Sequence, residues 1–204
     1  MTASAVATLG HMARWEGNTR GRLERAALDL FTEQGYDRTT VAQIAQRANL
    51  TERSFYRWFT DKREALFGGG EELEQACVTA IEAVPEDTGP LATLLTAFGT
   101  ASQVFRSREF LRERAAVIAA NSPLQERELI KLDSLSRSLT EALVRRGHDA
   151  STARLTTDAA MAVFRRTSER WMAEEDADFP SLLSAGAADL LAILTAAAPA
   201  PSRP

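Results

Sequence analysis

Lysine is almost missing from this 204-residue chain: Lys62 and Lys131 stand beside 22 arginines. Cysteine occurs once, at Cys77, which excludes an intramolecular disulfide, and no Cys/His spacing suits a zinc site. A single thiol makes a reducing cytoplasm the expected compartment. The two histidines, His11 near the N-terminus and His148 in an expected loop, form no nucleophile–base or metal-ligand constellation. No residue is therefore assigned to catalysis, to a metal or to a cofactor. No apolar run approaches the roughly 18 residues that a bilayer span needs, so no membrane partner is expected. The first 17 residues also lack the apolar core of a signal peptide.

What the chain does have is an uneven charge. The net charge is −4, yet residues 1–67 carry ten basic and eight acidic side chains, while residues 68–204 carry fourteen and twenty. Within residues 38–63 six basic residues face only Glu52 and Asp61. A polyanion would be drawn to this stretch and repelled by the rest.

The same stretch has the pattern of two short amphipathic helices joined by a sharp turn. Val41, Ile44, Ala45 and Ala48 recur at i, i+3, i+4 and i+7, the spacing of one buried helix face. Thr40 with Gln43 has the spacing of a capping box. Asn49 stands where the chain must turn, and asparagine tolerates a left-handed backbone. Leu50 can plug the corner. Thr51 can cap the next helix, in which Phe55 and Phe59 lie four apart as core residues and Glu52, Arg53, Ser54, Tyr56 and Arg57 occupy the other faces. Upstream, Leu23, Ala26, Ala27, Leu30 and Phe31 form the apolar stripe of a first helix that Gly35 can end. Downstream, Asp61 and Glu64 suit the first turn of a fourth helix, with the Lys62 ammonium directed outward. A helix-turn-helix of this kind places its second helix in the major groove of DNA.

The segments IAQRANL, SFYRWF and TDKREALF, in this order and spacing, resemble the DNA-binding head of the TetR family of bacterial transcriptional regulators. The likeness covers about the first third of the chain: residues 22–35 for the first helix, 40–48 for the second, 51–59 for the third, and Lys62. It departs from the family pattern at Asn49, usually Gly, and at Phe55, often a smaller aliphatic residue. The resemblance implies an all-α protein, with a three-helix head followed by a larger helical ligand-binding and dimerisation domain. It also implies a palindromic operator in double-stranded DNA, a homodimer, an unknown small-molecule effector, and repression as the usual outcome. By resemblance and geometry, Thr40, Tyr56 and Lys62 are phosphate candidates. Thr51, Glu52, Arg53, Ser54 and Arg57 are candidates near base edges, with Arg53 or Arg57 able to read guanine bidentately.

The expected organisation is a flexible arm over 1–17, a head over 18–66, a helical body over 67–197 and a flexible tail over 198–204. Met12 can be the natural start, and Arg14 and Arg20 could reach phosphates. In the body, helical periodicity continues over 61–84, 89–106, 108–121, 124–146, 151–175 and 180–197, which with the head makes nine helices. The Gly68-Gly69-Gly70 run is not a phosphate loop, because no Lys-Ser/Thr follows it and Glu71 and Glu72 do. The last two helices are those expected to pair in a dimer, with Ala185, Ala187 and Ala188 permitting close packing beside Leu183, Leu190, Leu191 and Leu194. Phe98, Phe105, Phe110, Met161, Phe164 and Trp171 are candidates to line an effector pocket, although residues of this kind are more often plain core. Asp158, Arg165 and Glu169 are its candidate polar anchors. Two other classes stand beside the regulator reading. A helical interaction module would bind no operator, and an enzyme would turn over a substrate unaided.

Overall fold

The computed structural model describes residues 3–197, and side chains over 19–196. The expected tail at 198–204 and the Arg14 side chain lie outside the described residues. Nine α-helices and no strand occur among them. They are α1 (Ala3–Gln34), α2 (Val41–Arg47), α3 (Glu52–Tyr56), α4 (Gly70–Ala83), α5 (Pro90–Ala101), α6 (Arg108–Ala119), α7 (Ser122–Arg145), α8 (Ala150–Ala173) and α9 (Phe179–Ala197). Single 3-10 turns stand at Glu64–Leu66 and Ser102–Val104. The backbone of 3–17, expected to be a flexible arm, is drawn as part of α1. No proline or paired glycine interrupts that stretch.

The helices divide between two compact units, one of residues 1–68 and 113–128, the other of 69–112 and 129–204. The first unit is thus larger than the expected head. Residues 113–128, placed by the sequence in the body, belong to it through polar contacts with partners far away in the chain. Arg114 Nε donates to the Leu66 carbonyl at 2.6 Å and its Nη1 to Glu128 Oε1 at 3.0 Å. Its guanidinium lies 4.9 Å from the centre of the Phe67 ring. Arg127 pairs with Glu64 at 2.6 Å and Arg25 with Glu113 at 2.6 Å.

The fourth helix starts later than its periodicity suggests. Asp61 does cap a turn, accepting from the Arg63 and Glu64 amides at 2.8 and 3.3 Å. Only a 3-10 turn follows, and α4 begins at Gly70. Three consecutive glycines are costly to hold in a helix. A Cβ at Gly68 would lie 2.2 Å from Glu24 Oε1, so any larger residue there would make the Glu24 carboxylate shift.

The core of the second unit gathers Cys77 and Ile81 of α4, Leu94 and Phe98 of α5, Leu139 and Leu143 of α7, and Phe164 of α8. Asp149 caps α8 through the Thr152 amide at 2.9 Å, and Gly147 ends the preceding turn at φ 94. Helices α8 and α9 pack closely: a Cβ on Gly186 would meet Val163 Cγ1 at 3.2 Å. Leu183 and Ala187 are buried in this contact, whereas Leu191, Ile193 and Leu194 are more than half exposed. Residues Phe179–Ala196 are long and apolar enough to cross a membrane by length and composition, with only 17% of that stretch buried. This corrects the expectation that no apolar run comes near the length of a span.

Burial among these apolar side chains, and secondarily Glu74, pushes the Cys77 thiol up to about 12. A thiol is reactive only as thiolate, so Cys77 is an inert core group near neutral pH. Native protein at pH 8 is expected to resist alkylation by iodoacetamide and to react fully once unfolded in denaturant. Mass spectrometry reads both, and fast alkylation of the native fold would contradict the burial.

Candidate nucleic-acid interface

Local sequence decides the conformation of each part of the motif. Gly35 ends α1 at φ 87, donating its amide to the Phe31 carbonyl at 3.1 Å. Thr40 then caps α2 with both bonds of a capping box: the Gln43 amide donates to Thr40 Oγ1 at 3.2 Å, and the Thr40 amide to Gln43 Oε1 at 2.8 Å. Asn49 adopts φ 53, the left-handed turn expected of it. Thr51 caps α3 by accepting from the Ser54 amide at 3.2 Å. Beneath the motif Leu23, Ala27, Ile44, Phe55 and Phe59 are buried, and the Phe55 and Phe59 rings meet at 5.3 Å.

The candidate base readers sit on the outside of this scaffold. Thr51, Glu52, Arg53 and Arg57 are exposed and Ser54 partly so, while Thr51 Oγ1 and Ser54 Oγ lie 3.0 Å apart. The candidate backbone donors Thr40 and Tyr56 are exposed too, Tyr56 by 56%. Seven of the eight predicted positions are therefore exposed or partly so.

Lys62 does not point outward. Its ammonium donates to the carbonyls of Tyr36 at 2.7 Å and Thr39 at 2.9 Å, with that of Asp37 at 3.4 Å, and stands 4.2 Å from the Tyr36 ring centre. Because the fourth helix does not begin at residue 61, Lys62 lies in a turn that faces the linker before α2. Burial lowers its pKa, with Asp37 opposing. Other cations counted toward the local charge are also engaged: Arg47 grips both oxygens of Glu33 at 2.8 and 2.6 Å, and Arg63 holds Asp61 at 2.8 Å. Arg20, a candidate for phosphate, pairs with Glu24 at 3.1 Å.

Sequence reasoning missed the side chains that brace the motif from a distance. Arg22 donates to the carbonyls of Ala48 and Asn49, at the end of α2 and in the turn. The buried Thr39 hydroxyl donates to the Gly35 carbonyl at 2.9 Å, and Gln34 Nε2 bridges Thr39 Oγ1 and Gln43 Oε1 at 3.2 and 3.1 Å. Arg22 is 26 positions from its nearest partner, too far for any periodic pattern to register.

In the second unit the effector candidates meet only in part. Phe98 and Phe164 are buried with ring centres 4.6 Å apart, and Phe105, Met161 and Trp171 pack on the same core. Phe110 is partly exposed on α6, outside that cluster. Phe179 joins instead, edge-on to Phe105 at 4.9 Å. Asp158, Arg165 and Glu169 are exposed and offer the cluster no anchor; Asp158 pairs with Arg154 at 3.1 Å. An open groove of about 370 Å³ lies elsewhere, between Glu71, Glu74 and Val78 of α4 and Ser138, Glu141 and Arg145 of α7. Among the described residues no group of three His, Cys, Asp or Glu side chains is placed to hold a metal ion.

Comparison with known proteins agrees with this geometry. Residues 24–67 match the family model for bacterial regulatory proteins of the tetR family, and residues 88–195 match that of the MftR C-terminal domain. The chain is 39% identical over 80 residues to the HTH-type transcriptional regulator TcmR of Streptomyces glaucescens, covering 39% of this chain and 35% of that protein. It is 28% identical over 94 residues to RutR of Escherichia coli K12, covering 46% and 44%. These matches span less than half the length of either relative. Among solved structures, Thermus thermophilus FadR, a TetR-family repressor in complex with lauroyl-CoA, aligns over 90% of this chain and all of its own, with TM-score 0.53 and 23% identity. SmeT, the repressor of the Stenotrophomonas maltophilia multidrug efflux pump SmeDEF, aligns over 86% and 91%, with TM-score 0.55 and 21% identity. At such identity the likeness is one of fold.

The turn at residue 61 has a pH signature. The Arg63 guanidinium, then the Arg63 and Glu64 amides, hold the Asp61 carboxyl below its ordinary value against burial. A depressed folded pKa stabilises the fold above the unfolded value, near 4, and the benefit is lost as pH falls through the folded value. Asp61→Asn is thus expected to lower the thermal midpoint at neutral pH, with the gap to wild type closing as pH falls below the unfolded value and through the folded one. A gap that stays constant on acidification would disprove the capping role.

Proposed function

Since the chain belongs to the TetR family of bacterial regulatory proteins, we propose that it is a sequence-specific DNA-binding repressor, released from a palindromic operator by a small-molecule effector. The observation that carries this reading is the outer surface of α3 with the capped start of α2, where Arg53 and Arg57 are exposed above a buried Phe55–Phe59 floor. Arg53 or Arg57 reads guanine, Thr51, Glu52 and Ser54 lie against neighbouring base edges, and Thr40 and Tyr56 donate to phosphates. A cytoplasmic regulator, not an enzyme, fits this arrangement.

A helix as short as α3 reads few base pairs, so two heads related by a dyad are needed for specificity. The exposed apolar side of α9 supports a homodimer. Leu191, Ile193 and Leu194 stand in solvent in the single chain, beside the exposed small residues Ala185 and Ala188. Ala188, Leu191 and Leu194 recur at three-residue spacing on one helix face, and exposed apolar side chains grouped in this way are the mark of a protein interface. The effector acts on the second unit, in or beside the aromatic core of Phe98, Phe105, Phe164 and Trp171. Only a difference in its affinity for the bound and released states can shift operator binding.

Selection of bound duplexes from a random pool is expected to enrich a palindrome. Arg53→Ala or Arg57→Ala should then relax preference at one position of each half-site, costing about 1–3 kcal/mol there. A pool that yields no enriched sequence, with protein folded and dimeric, would sink the operator reading. For the dimer, Leu191→Glu with Leu194→Glu should convert the sedimenting species to monomer at micromolar concentration, and an unchanged dimer would move the interface elsewhere.

A further inference from the structure

The cation that reaches the aromatic core of the second unit is Arg108, none of the three anchors that the sequence offers. Its guanidinium lies 4.5 Å from the centre of the Trp171 ring. Trp171 and Phe105 are the partly buried members of the cluster, and Phe179 beside them is 3% exposed. The Phe105 ring lies 4.9 Å from Phe179 and 5.8 Å from Trp171, and Trp171 lies 6.1 Å from Phe179. Arg108 thus stands at the corner where the cluster comes nearest to solvent. Two stretches without helix meet there, residues 105–107 before α6 and residues 174–178 between α8 and α9. The guanidinium clasps the second of them. Its Nη1 donates to the carbonyls of Glu174 and Glu175, and its Nη2 to that of Ala177 at 2.8 Å. Arg112, one turn further along α6, donates to the Met172 carbonyl at 3.0 Å.

All these acceptors are carbonyls. The carboxylate of Glu174 is turned to Arg170 instead, at 3.3 Å, so the charge of Arg108 is left without an anion. A carboxylate would hold the same planar fork more strongly than uncharged oxygens do, through two parallel charge-assisted bonds. Residues 174–176 are exposed, so the clasp can be released without unpacking a helix. We propose that Arg108 is the polar anchor of the effector site and that the effector is an apolar carboxylic acid. Its carboxylate takes the Arg108 fork from the 174–177 carbonyls, and its apolar body enters between Phe105, Trp171 and Phe179, the usual division between a few polar groups and an apolar lining. The proposal rests on the effector-released reading and gives it a ligand class. A neutral ligand gains nothing from this charge, and a cationic one is repelled by it.

The probes are benzoate, naphthoate and octanoate, each beside its primary amide, titrated into the full chain by calorimetry at neutral pH. At least one acid is expected to bind about tenfold or more tightly than its amide, and the preference should vanish in Arg108→Gln and persist in part in Arg108→Lys. A set in which no acid outbinds its amide, or an acid preference that survives in Arg108→Gln, would overturn the proposal. The second arm uses a glutamate-specific protease, with cleavage after Glu174 and Glu175 read by mass spectrometry. Cleavage there should be slow in the free wild type and faster once the acid, but not the amide, is added. Equal rates with and without the acid would mean that the clasp does not open. If Arg108→Gln fails to fold, the acid and amide arms on the wild type still decide. Operator release is read separately: an acid that binds through Arg108 yet leaves the selected duplex bound keeps the acid site and removes the effector reading.

Discussion

Every α-helix ends with carbonyls that its own backbone cannot satisfy, and in an all-helical chain that debt recurs at each connection. This molecule meets it with cationic side chains brought in from elsewhere. Arg22 serves the end of α2, Lys62 the linker after α1, and Arg114 the 3-10 turn at Leu66. In the second unit Arg146 reaches the Ile81, Val84 and Pro85 carbonyls at the end of α4 at 2.9, 2.8 and 2.7 Å. Arg108 and Arg112 do the same at the end of α8, with the Arg108 guanidinium 4.5 Å from the Trp171 ring centre. A guanidinium suits this task, since its planar fork carries five donors and stays charged when partly buried. The preference for arginine over lysine thus has a structural use whatever its genetic origin.

The same constraint changes what the charge of the head means. Of the six cations between residues 38 and 63, Arg47 and Arg63 hold carboxylates and Lys62 holds carbonyls. Exposed ion pairs of this sort contribute little stability, yet they keep those charges from acting as independent counter-ions. Arg53 and Arg57 of α3 are exposed, and in the proposed reading they form part of the surface that meets DNA. Orientation comes from capped, buried and tied elements behind that surface.

Features decided within a few residues were legible in the sequence. The Thr40–Gln43 box, the Thr51 cap, the left-handed Asn49 and the buried pair Phe55 and Phe59 all depend on neighbours three or four positions away, and the structure has each of them. Features decided at long range were not. Asp61 carries the signature of a helix start and does cap a turn, but the three glycines that follow delay α4 to residue 70. The outward Lys62 followed from that same helix start. The aromatic cluster was partly legible by composition, yet nothing in a linear pattern distinguishes Phe179, which joins it, from Phe110, which does not.

The first unit is assembled from two stretches of chain separated by residues 69–112. Glu113, Arg114, Arg127 and Glu128 complete its polar contacts, so those contacts cannot form until residue 128 has left the ribosome. At about 5–20 residues per second, that leaves the nascent N-terminal helices waiting some seconds with Phe67 and the Leu66 carbonyl uncovered. Synthesis order and assembly order are thereby different in this molecule: the part made first is finished only after much of the rest exists. A chain broken off during translation before residue 113 would carry the helix-turn-helix sequence without the segment that braces it.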